Sequence, residues 1–443
     1  LKDITVDGED KDTSRTVIDK PITLDLNDKT IKSPDNMGNN GRNFVALYIS
    51  ADVTINATTG GINTGTNGAY AINVMNGATL TINGGNYYGG GTAVQVQKGT
   101  ANINGGTFAC EPYSNPIYGY KFLINCIDSA YKNGTAKVSI KGGSFVNYDP
   151  SDSASENPIG NFCPSGYVAV KGGTENAPVW TVEDHRVAEV GNTGYSTLSA
   201  AVAAANNGDT VTLLTDTDED ITIAQDKDII LDLNGKKLTN VASHTIFNKG
   251  TLTINGNNGT VDNVTNGTAA VYNDVTGKVT INGGSYTRSA EASKDENNSG
   301  GNSWYVIHNY GIMNINKGTF KFSDTNVGAF SSLIHNGWYD GSQNTAQKNA
   351  VMTINGGDFT QGTGGKITVK NDDYGELEIK GGVFTQPQNN YYCIFSYNIA
   401  KISGGTINGY VGNAYGNETC DKGDLTISDN AVINGDVQSA TAA

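Results

Sequence analysis

The sequence predicts an all-β protein, a parallel β-helix (β-solenoid) built from two tandem units with one short capping helix. Three observations predict this fold. An eight-residue phrase containing Ile-Asn-Gly-Gly or a close variant recurs along the chain, a second short strand precedes most copies, and the opening of the chain is duplicated near its middle. Self-similarity of this kind is the sequence signature of repeat architectures. The 443 residues therefore suit one long repeat array.

The recurring phrase has the pattern of a half-buried strand followed by a sharp bend. Its clear copies lie at residues 80–87, 101–108, 138–145, 279–286, 313–320, 352–359 and 377–384. Alternation turns Leu80 and Ile82 inward and Thr81 outward, and the Gly-Gly pair allows a bend with positive φ. The spacing between copies varies, so some repeats carry inserted loops. We expect three short sheets.

An aromatic residue ends each clear copy of the phrase. These residues are Tyr87, Phe108, Phe145, Tyr286, Phe320, Phe359 and Phe384. Because stacked repeats place equivalent positions above one another, we expect these rings to form an internal ladder in the core.

The strand that precedes the phrase should turn its first and third residues inward. In the first half the third residues are Ile49, Val74, Val96 and Cys126, and in the second half they are Asn248, Asn273, Asn309 and Asn336. Unpaired buried amides are costly. We therefore predict that the four asparagine side chains hydrogen-bond one another as a buried Asn ladder.

The boundary between the two units is marked by a helix and by a duplication. Residues 195–209 (YSTLSAAVAAANNGD) predict a helix near 197–206. Ser196 or Thr197 can cap its start, and Asn207 and Gly208 should end it. Residues 229–235 (IILDLNG) repeat residues 22–28 (ITLDLND). The sequence thus predicts a first unit at 1–185, without its N-terminal cap, and a second unit at 186–443 with the capping helix.

Composition excludes several classes of partner. The net charge is −15, which repels phosphate backbones and argues against nucleic acid. No stretch approaches the ~20 apolar residues that span a bilayer, so we expect no membrane insertion by this fragment. The cysteines have neither CxxC nor metal-ligand spacing, although one disulfide stays open as an alternative. They are Cys110, Cys126, Cys163, Cys393 and Cys420. We expect no metal and no cofactor.

Several segments near the boundary carry a resemblance to a known family. Residues 187–190 (VAEV), 194–198 (GYSTL) and 204–214 (AANNGDTVTLL) resemble the opening of repetitive pectin-lyase-like β-helix units in large surface proteins of Gram-positive (Firmicutes-type) gut bacteria. Residues 166–170 (GYVAV) resemble the closing motif of such units. The resemblance covers nearly the whole chain. It implies a right-handed parallel β-helix and an extracellular location, cell-surface or secreted. The family has no settled shared activity, so no catalytic residue carries over.

Candidate catalytic residues do not form a complete active site in the sequence. A glycosidase needs two carboxylates across a groove, but the acidic candidates occupy ordinary or solvated turns. They are Asp216, Asp218, Glu219, Asp220, Asp340, Asp372 and Asp373. Residues 180–186 (WTVEDHR) resemble a pectate-lyase Asp-His segment only faintly, and the four histidines show no triad or metal-ligand spacing.

The sequence therefore favours a non-catalytic module, a structural spacer or an adhesin that presents a binding face. Glycan is the first candidate ligand and a host surface protein the second. The alternative is a polysaccharide lyase or glycoside hydrolase acting on an acidic or host or plant glycan.

The candidate binding face is the outward column of the preceding strand in the second unit. Its members are Phe247, Tyr272, His308, His335 and Phe395. Insertions carrying Trp304, Trp338 and Tyr339 should lie beside this stripe. If the stripe is open, its rings can stack against sugars or a protein partner. If the insertions fold over it, the stripe is a second small core.

Overall fold

A computed structural model describes residues 3–5, 15–33, 45–65, 70–112, 119–289, 304–322, 331–338, 349–415 and 422–441. In these residues the protein is all-β with predominantly parallel sheets. Its contacts divide the chain into unit 1, Leu1–His185, and unit 2, Arg186–Ala443. Tyr339, Asp340 and Cys420 lie outside the described residues.

The described residues of unit 1 form a large and a small sheet. The large sheet comprises Ile4–Thr5, Ile22–Asn27, Thr30–Lys32, Val53–Ala57, Gly61–Asn63, Ala78–Gly89, Gly99–Cys110, Ala136–Ile140, Ser144–Val146, Tyr167–Thr174 and Ala177–Asp184. The small sheet comprises Arg15–Ile18, Val45–Ile49, Tyr70–Val74, Thr92–Val96 and Ile124–Cys126. The last two strands of the large sheet form an antiparallel hairpin, which pairs antiparallel with Ser144–Val146. The closing segment of unit 1 therefore departs from the parallel pattern of the repeats.

The described residues of unit 2 also form two sheets. The eighteen-stranded sheet comprises Ala188–Val190, Thr193–Tyr195, Thr210–Leu213, Thr217–Asp218, Asp228–Asp232, Lys237–Thr239, Thr251–Asn255, Thr260–Asn263, Lys278–Arg288, Ile312–Phe322, Ala350–Ile354, Asp358–Thr360, Gly375–Ile379, Val383–Thr385, Ile399–Ile402, Thr406–Asn408, Asp424–Ile427 and Val432–Ile433. The nine-stranded sheet comprises Ile221–Ile223, Ile246–Asn248, Val271–Asn273, Ile307–Asn309, Ser332–Asn336, Ile367–Asn371, Tyr392–Ser396, Tyr410–Tyr415 and Val437–Thr441.

The expectation of three sheets was wrong, because hydrogen bonding continues through some of the Gly-Gly bends. Lys278–Arg288 and Ile312–Phe322 each run unbroken through the bend and join the strands on its two sides into one sheet. At Gly357 φ is 116°, and a Cβ there would lie 2.9 Å from the carbonyl oxygen of Gly318. Only glycine fits this close approach between neighbouring repeats.

Equivalent residues of the recurring phrase pair with each other across successive repeats. In unit 2, Ile281 is the register partner of Ile254 and of Ile315, and Ile315 is in turn the partner of Ile354. The buried apolar residues of unit 2 form one cluster that extends from Ala188 to Val411, and those of unit 1 form another. Each unit therefore has a single core that grows with every added repeat.

The aromatic ladder predicted from the phrase is confirmed in both units. In unit 1, ring centroids lie 5.0 Å apart from Tyr87 to Phe108 and again from Phe108 to Phe145. In unit 2, the separations are 4.9 Å from Tyr286 to Phe320, 4.7 Å from Phe320 to Phe359 and 4.6 Å from Phe359 to Phe384. All seven rings are buried and nearly parallel. In-register strands about 4.8 Å apart impose this spacing.

The buried Asn ladder is also confirmed, and it is longer than predicted. Each amide nitrogen donates to the next side chain, at 2.8 Å from Asn248 to Asn273, 2.7 Å from Asn273 to Asn309 and 2.7 Å from Asn309 to Asn336. The ladder then continues through Asn371 (2.8 Å) to Ser396 (3.0 Å). Each amide nitrogen also donates to backbone carbonyls. At the start of the ladder, Asn248 Oδ1 is buried without a hydrogen-bond partner among the described residues.

Two helices occur among the described residues, Leu198–Ala204 and Asp128–Lys132. Leu198–Ala204 is the predicted capping helix, and the Thr197 side chain accepts a hydrogen bond from the Ala200 amide at 3.1 Å, as expected of an N-cap. The helix ends at Ala204, before the predicted stop. The sequence did not predict Asp128–Lys132. The described cysteines, Cys110, Cys126, Cys163 and Cys393, are free and buried.

Glu219 provides a second cap for the helix Leu198–Ala204. Its carboxylate accepts from the amides of Leu198 (2.6 Å) and Ser199 (2.9 Å) and from the Ser199 hydroxyl (2.8 Å). We expect Glu219→Ala to lower the free energy of unfolding of unit 2 by about 1 kcal/mol, because the first amides of the helix lose their acceptor. Urea denaturation measures this change. Asp218→Ala, at the exposed neighbouring position, is the control and should leave stability within about 0.5 kcal/mol. Equal effects of the two substitutions would contradict the capping role.

Candidate functional site

The register of the nine-stranded sheet brings four of the five stripe residues into one column. Phe247 pairs with Tyr272, Tyr272 with His308, and His308 with His335. His335 then pairs with Lys370, which in turn pairs with Phe395. Phe395 therefore lies on the same face but is separated from the others by Lys370, a residue that the sequence did not single out. Its ring contacts Tyr392 (4.5 Å) and Tyr397 (5.0 Å) instead.

Further rings from the same sheet and its connecting segments pack on this column. We call the group the aromatic–histidine cluster. Its members are His244, Phe247, Tyr272, Trp304, Tyr305, His308, Tyr310, His335 and Trp338. Ring centroids lie 5.1 Å apart for Tyr272 and His308, 4.5 Å for His308 and His335, and 4.0 Å for Tyr310 and Trp338.

The middle of the predicted stripe is buried, which is the second of the two alternatives that the sequence left open. His308 is 3% exposed, His335 1% and Phe395 7%. Trp304, Tyr305 and Tyr310 pack against His308 and His335, and Trp338, which is 7% exposed, stacks on Tyr310. Phe395 packs against Tyr392 and Tyr397. Phe247, Tyr272 and Trp304 are half-buried. The arrangement corresponds to the second small core, and ligand binding by these residues stays a prediction.

A buried ionic group lies at one end of the cluster. Asp372 is 3% exposed, its Oδ2 lies 3.1 Å from His335 Nε2, and it contacts Lys370 Nζ. Burial alone would raise the pKa of Asp372, but the hydrogen bond with His335 and the charge of Lys370 outweigh it and hold that pKa below its ordinary value. Asp372 and Asp373 lie in a turn as predicted, with the Gly375 amide donating to the Asp372 carbonyl oxygen at 2.9 Å. The sequence did not indicate that both aspartates are buried, Asp373 being 5% exposed.

The histidines of the cluster differ in their polar contacts. Within the described part of the chain, neither ring nitrogen of His308 has a hydrogen-bond partner, and burial lowers the pKa of His308 well below its ordinary value. His244 Nδ1 accepts a hydrogen bond from the Ala269 amide at 2.9 Å, and burial lowers the pKa of His244 to about 4. Burial also lowers the pKa of His335, against the opposing effect of Asp372.

The carboxylates of the acidic turn at 216–220 accept hydrogen bonds from backbone amides, which the sequence did not indicate. Asp220 accepts hydrogen bonds from the amides of Val241 (2.8 Å) and Ser243 (3.1 Å), and Asp216 accepts from the Lys237 amide at 2.8 Å. With Glu219 at the capping helix, three of these four carboxylates bind backbone amides and hold neighbouring repeats together. Among the described residues, no group of three or more His, Cys, Asp and Glu side chains is placed to hold a metal ion.

An open groove in unit 2 lies at the Gly-Gly bends of successive repeats. We call it the corner groove. It encloses about 810 Å³ and is lined by residues 257–259, 282–285, 317–319, 357–358 and 382–383. Asparagine, serine, threonine and glycine dominate the lining. Lys317 and Asp358 are its only charged residues among those described.

The corner groove was not predicted, although a signal for it exists in the sequence. Stacked glycines have no side chains to fill the inside of the bend, which leaves a concave surface. The copy at 313–320 (MNINKGTF) replaces the first glycine with Lys317. The Lys317 side chain runs past Gly283, with its Cε 3.4 Å from the position of a Cβ on that glycine.

Comparison of the chain with models of protein families, with curated proteins and with solved structures finds no match. No helix in the described ranges is long and apolar enough to cross a membrane.

Proposed function

We propose that this chain is a non-catalytic β-helix module of an extracellular, cell-surface or secreted protein and that the corner groove of unit 2 binds a linear glycan. The right-handed, pectin-lyase-like form of the β-helix and the spacer or adhesin role are parts of this proposal. The main support for glycan binding is the corner groove, because it is an open surface, lined largely by polar residues and glycine, that extends across five repeats. The parallel register of equivalent residues supports the β-helix.

The shape of the corner groove suits a chain-like ligand. Strands of neighbouring repeats lie about 4.8 Å apart, so five repeats extend roughly 19 Å along the stacking direction. Ligand pockets for compact small molecules are mostly apolar and enclosed, whereas this groove is open and is lined largely by polar residues and glycine. A linear polymer lying along the stack would meet the same backbone geometry at every repeat.

The chemistry of the lining suits a hydroxyl-rich ligand. Asn258, Ser285 and Thr319 present amide and hydroxyl groups that both donate and accept hydrogen bonds. Asn257 and Asn282 also line the groove, but the Asn257 nitrogen donates to Asp232 and both polar atoms of the Asn282 amide bond neighbouring asparagines. Sugar hydroxyls are donors and acceptors in the same way. Because one lysine and one aspartate line the groove, its formal charge is balanced, which favours a glycan of low charge over a polyanion.

The same groove lacks the parts needed for cleavage of a glycan. A glycosidase needs two carboxylates on opposite sides of the bond, and Asp358 is the one carboxylate in the described lining. Asp372, which has both a histidine and a lysine beside it, is buried with His335 and Lys370. Substrate would not reach it in this conformation. Binding without turnover is therefore the function that the groove supports best.

A glycan array probed with the purified chain tests the proposal, followed by titration of the best linear hit against two matched variants. Thr319→Trp fills the corner groove from an exposed position and should weaken binding at least tenfold. Thr107→Trp makes the same change at the equivalent exposed position in the copy at 101–108 of unit 1 and should leave binding unchanged. Both variants should melt like the parent chain, because both side chains point outward.

Three outcomes would overturn parts of the proposal. If the array shows no glycan hits, the proposal that the ligand is a glycan is wrong. Equal affinities of the two variants for the glycan would show that it binds outside the corner groove. Shortening of the hit during incubation, detected by chromatography, would replace the binding module with the lyase or hydrolase alternative.

A further inference from the structure

Three of the four histidines of this chain lie in the aromatic–histidine cluster, together with two of its three tryptophans. The fourth histidine, His185, is about half exposed and belongs to unit 1. The third tryptophan, Trp180, lies on the hairpin strand Ala177–Asp184 of unit 1. Titratable rings are thus concentrated at one place on the outer face of the nine-stranded sheet.

We propose that the aromatic–histidine cluster is an acid-sensitive closure: uptake of protons by His244, His308 and His335 loosens the rings that cover the nine-stranded sheet and exposes the aromatic stripe beneath. The proposal is independent of glycan binding at the corner groove. It rests on the enclosure of these imidazoles and on the groups that face them.

His308 is the least able of the three to accept a proton in place. It is faced by the rings of Tyr272, Trp304, Tyr305 and Tyr310 and by His335. None of these groups is a carboxylate. An imidazolium formed here would be a buried charge without an ionic partner, and such a charge costs several kcal/mol unless the site opens.

His335 already shares its carboxylate partner. It is faced by Tyr305, His308 and Tyr310, and its Nε2 contacts Asp372. Lys370 Nζ contacts the same Oδ2 atom of Asp372. A protonated His335 would therefore compete with an existing ammonium for one carboxylate and would repel a protonated His308.

His244 would lose a hydrogen bond on protonation. It is faced by Phe247 and Tyr272, with the charges of Arg288 and Asp220 nearby. Its Nδ1 accepts from the Ala269 amide. A proton on Nδ1 turns this acceptor into a donor and sets two donors against each other.

The direction of the pH dependence follows from these environments. All three histidines have pKa values below 6.5 in the closed cluster, and exposure returns them towards about 6.5. The open form therefore binds more protons than the closed form at pH below about 6.5. Closure is complete above that pH and is lost progressively as the pH falls towards 5.

Tryptophan emission tests the proposal, in a Trp180→Phe background where Trp304 and Trp338 are the only emitters. We expect a reversible red shift of the emission maximum between pH 7.5 and pH 5.0, while far-UV circular dichroism stays constant because the stacked core is unaffected. This range stops above the ordinary pKa of carboxylates, about 4. His185→Gln is the control and should leave the transition unchanged.

His308→Gln keeps a neutral polar side chain at the same place and should shift the midpoint of the transition to lower pH. An emission maximum that stays constant from pH 7.5 to 5.0 in the Trp180→Phe background would overturn the proposal, and this measurement needs no change inside the cluster. A transition that is unaltered when His244, His308 and His335 are all replaced by Gln would overturn it as well.

Discussion

Replacing Phe359 with alanine is expected to lower the free energy of unfolding of unit 2 by about 3–5 kcal/mol. Phe359 is fully buried and lies in the middle of the aromatic ladder, with ring centroids 4.7 Å from Phe320 and 4.6 Å from Phe384. Alanine removes both stacking contacts and leaves a cavity that the two neighbouring repeats cannot close, because their strands are held in register. Urea denaturation in the Trp180→Phe background, followed by the emission of Trp304 and Trp338, measures this loss.

The control for Phe359→Ala lies on the same strand. Thr360 is exposed, and Thr360→Ala should change stability by no more than about 0.5 kcal/mol. If both substitutions had effects of similar size, the contribution of the ladder to stability would be refuted.

Replacing Asn309 with alanine is expected to lower the free energy of unfolding of unit 2 by about 1–3 kcal/mol. The Asn309 amide donates to Asn336 Oδ1 at 2.7 Å and accepts from Asn273 Nδ2 at 2.7 Å. Alanine leaves the Asn336 oxygen without its donor in a place that water does not reach, since both side chains are fully buried. The same denaturation experiment measures the change.

The chain provides a matched control for the Asn ladder. Asn316 also belongs to a row of asparagines, accepting from Asn355 and donating to Asn282 at 2.8 Å each, but it is exposed. Water can replace its partners, so Asn316→Ala should have an effect within about 0.5 kcal/mol. If Asn316→Ala lowered the free energy of unfolding as much as Asn309→Ala, burial would not be the reason for the loss of stability.

The two surfaces of unit 2 have different physical characters and suit different roles. The corner groove is open and is lined largely by polar residues and glycine. The aromatic–histidine cluster is closed and carries buried ring nitrogens without partners among the described residues. Binding at pH 7 is therefore expected at the groove, whereas the cluster should respond to acid.

The repeating part of the fold was determined by the sequence alone. In-register parallel strands place equivalent positions of each repeat above one another, so the aromatic position of the phrase becomes the ring ladder of Phe320, Phe359 and Phe384. The same rule turns the third position of the preceding strand into the Asn ladder. Alternation along each strand then decides which side chains face the core. The capping helix followed equally from local signals, a capping threonine and an apolar stripe.

Only the tertiary structure decided which surfaces are open. The stripe pattern predicts that His308 and His335 share a face, but their burial depends on the rings of Trp304, Tyr305 and Tyr310. The segments that carry these rings differ from repeat to repeat and follow no periodic rule. The ion pair of Lys370 with Asp372 was not predicted. Lys370 occupies the aromatic position of its repeat, between His335 and Phe395, and as a charged residue it does not continue the aromatic pattern. The corner groove was missed for a related reason. Its concavity arises where glycines of five repeats meet, and no single copy of the phrase contains that shape.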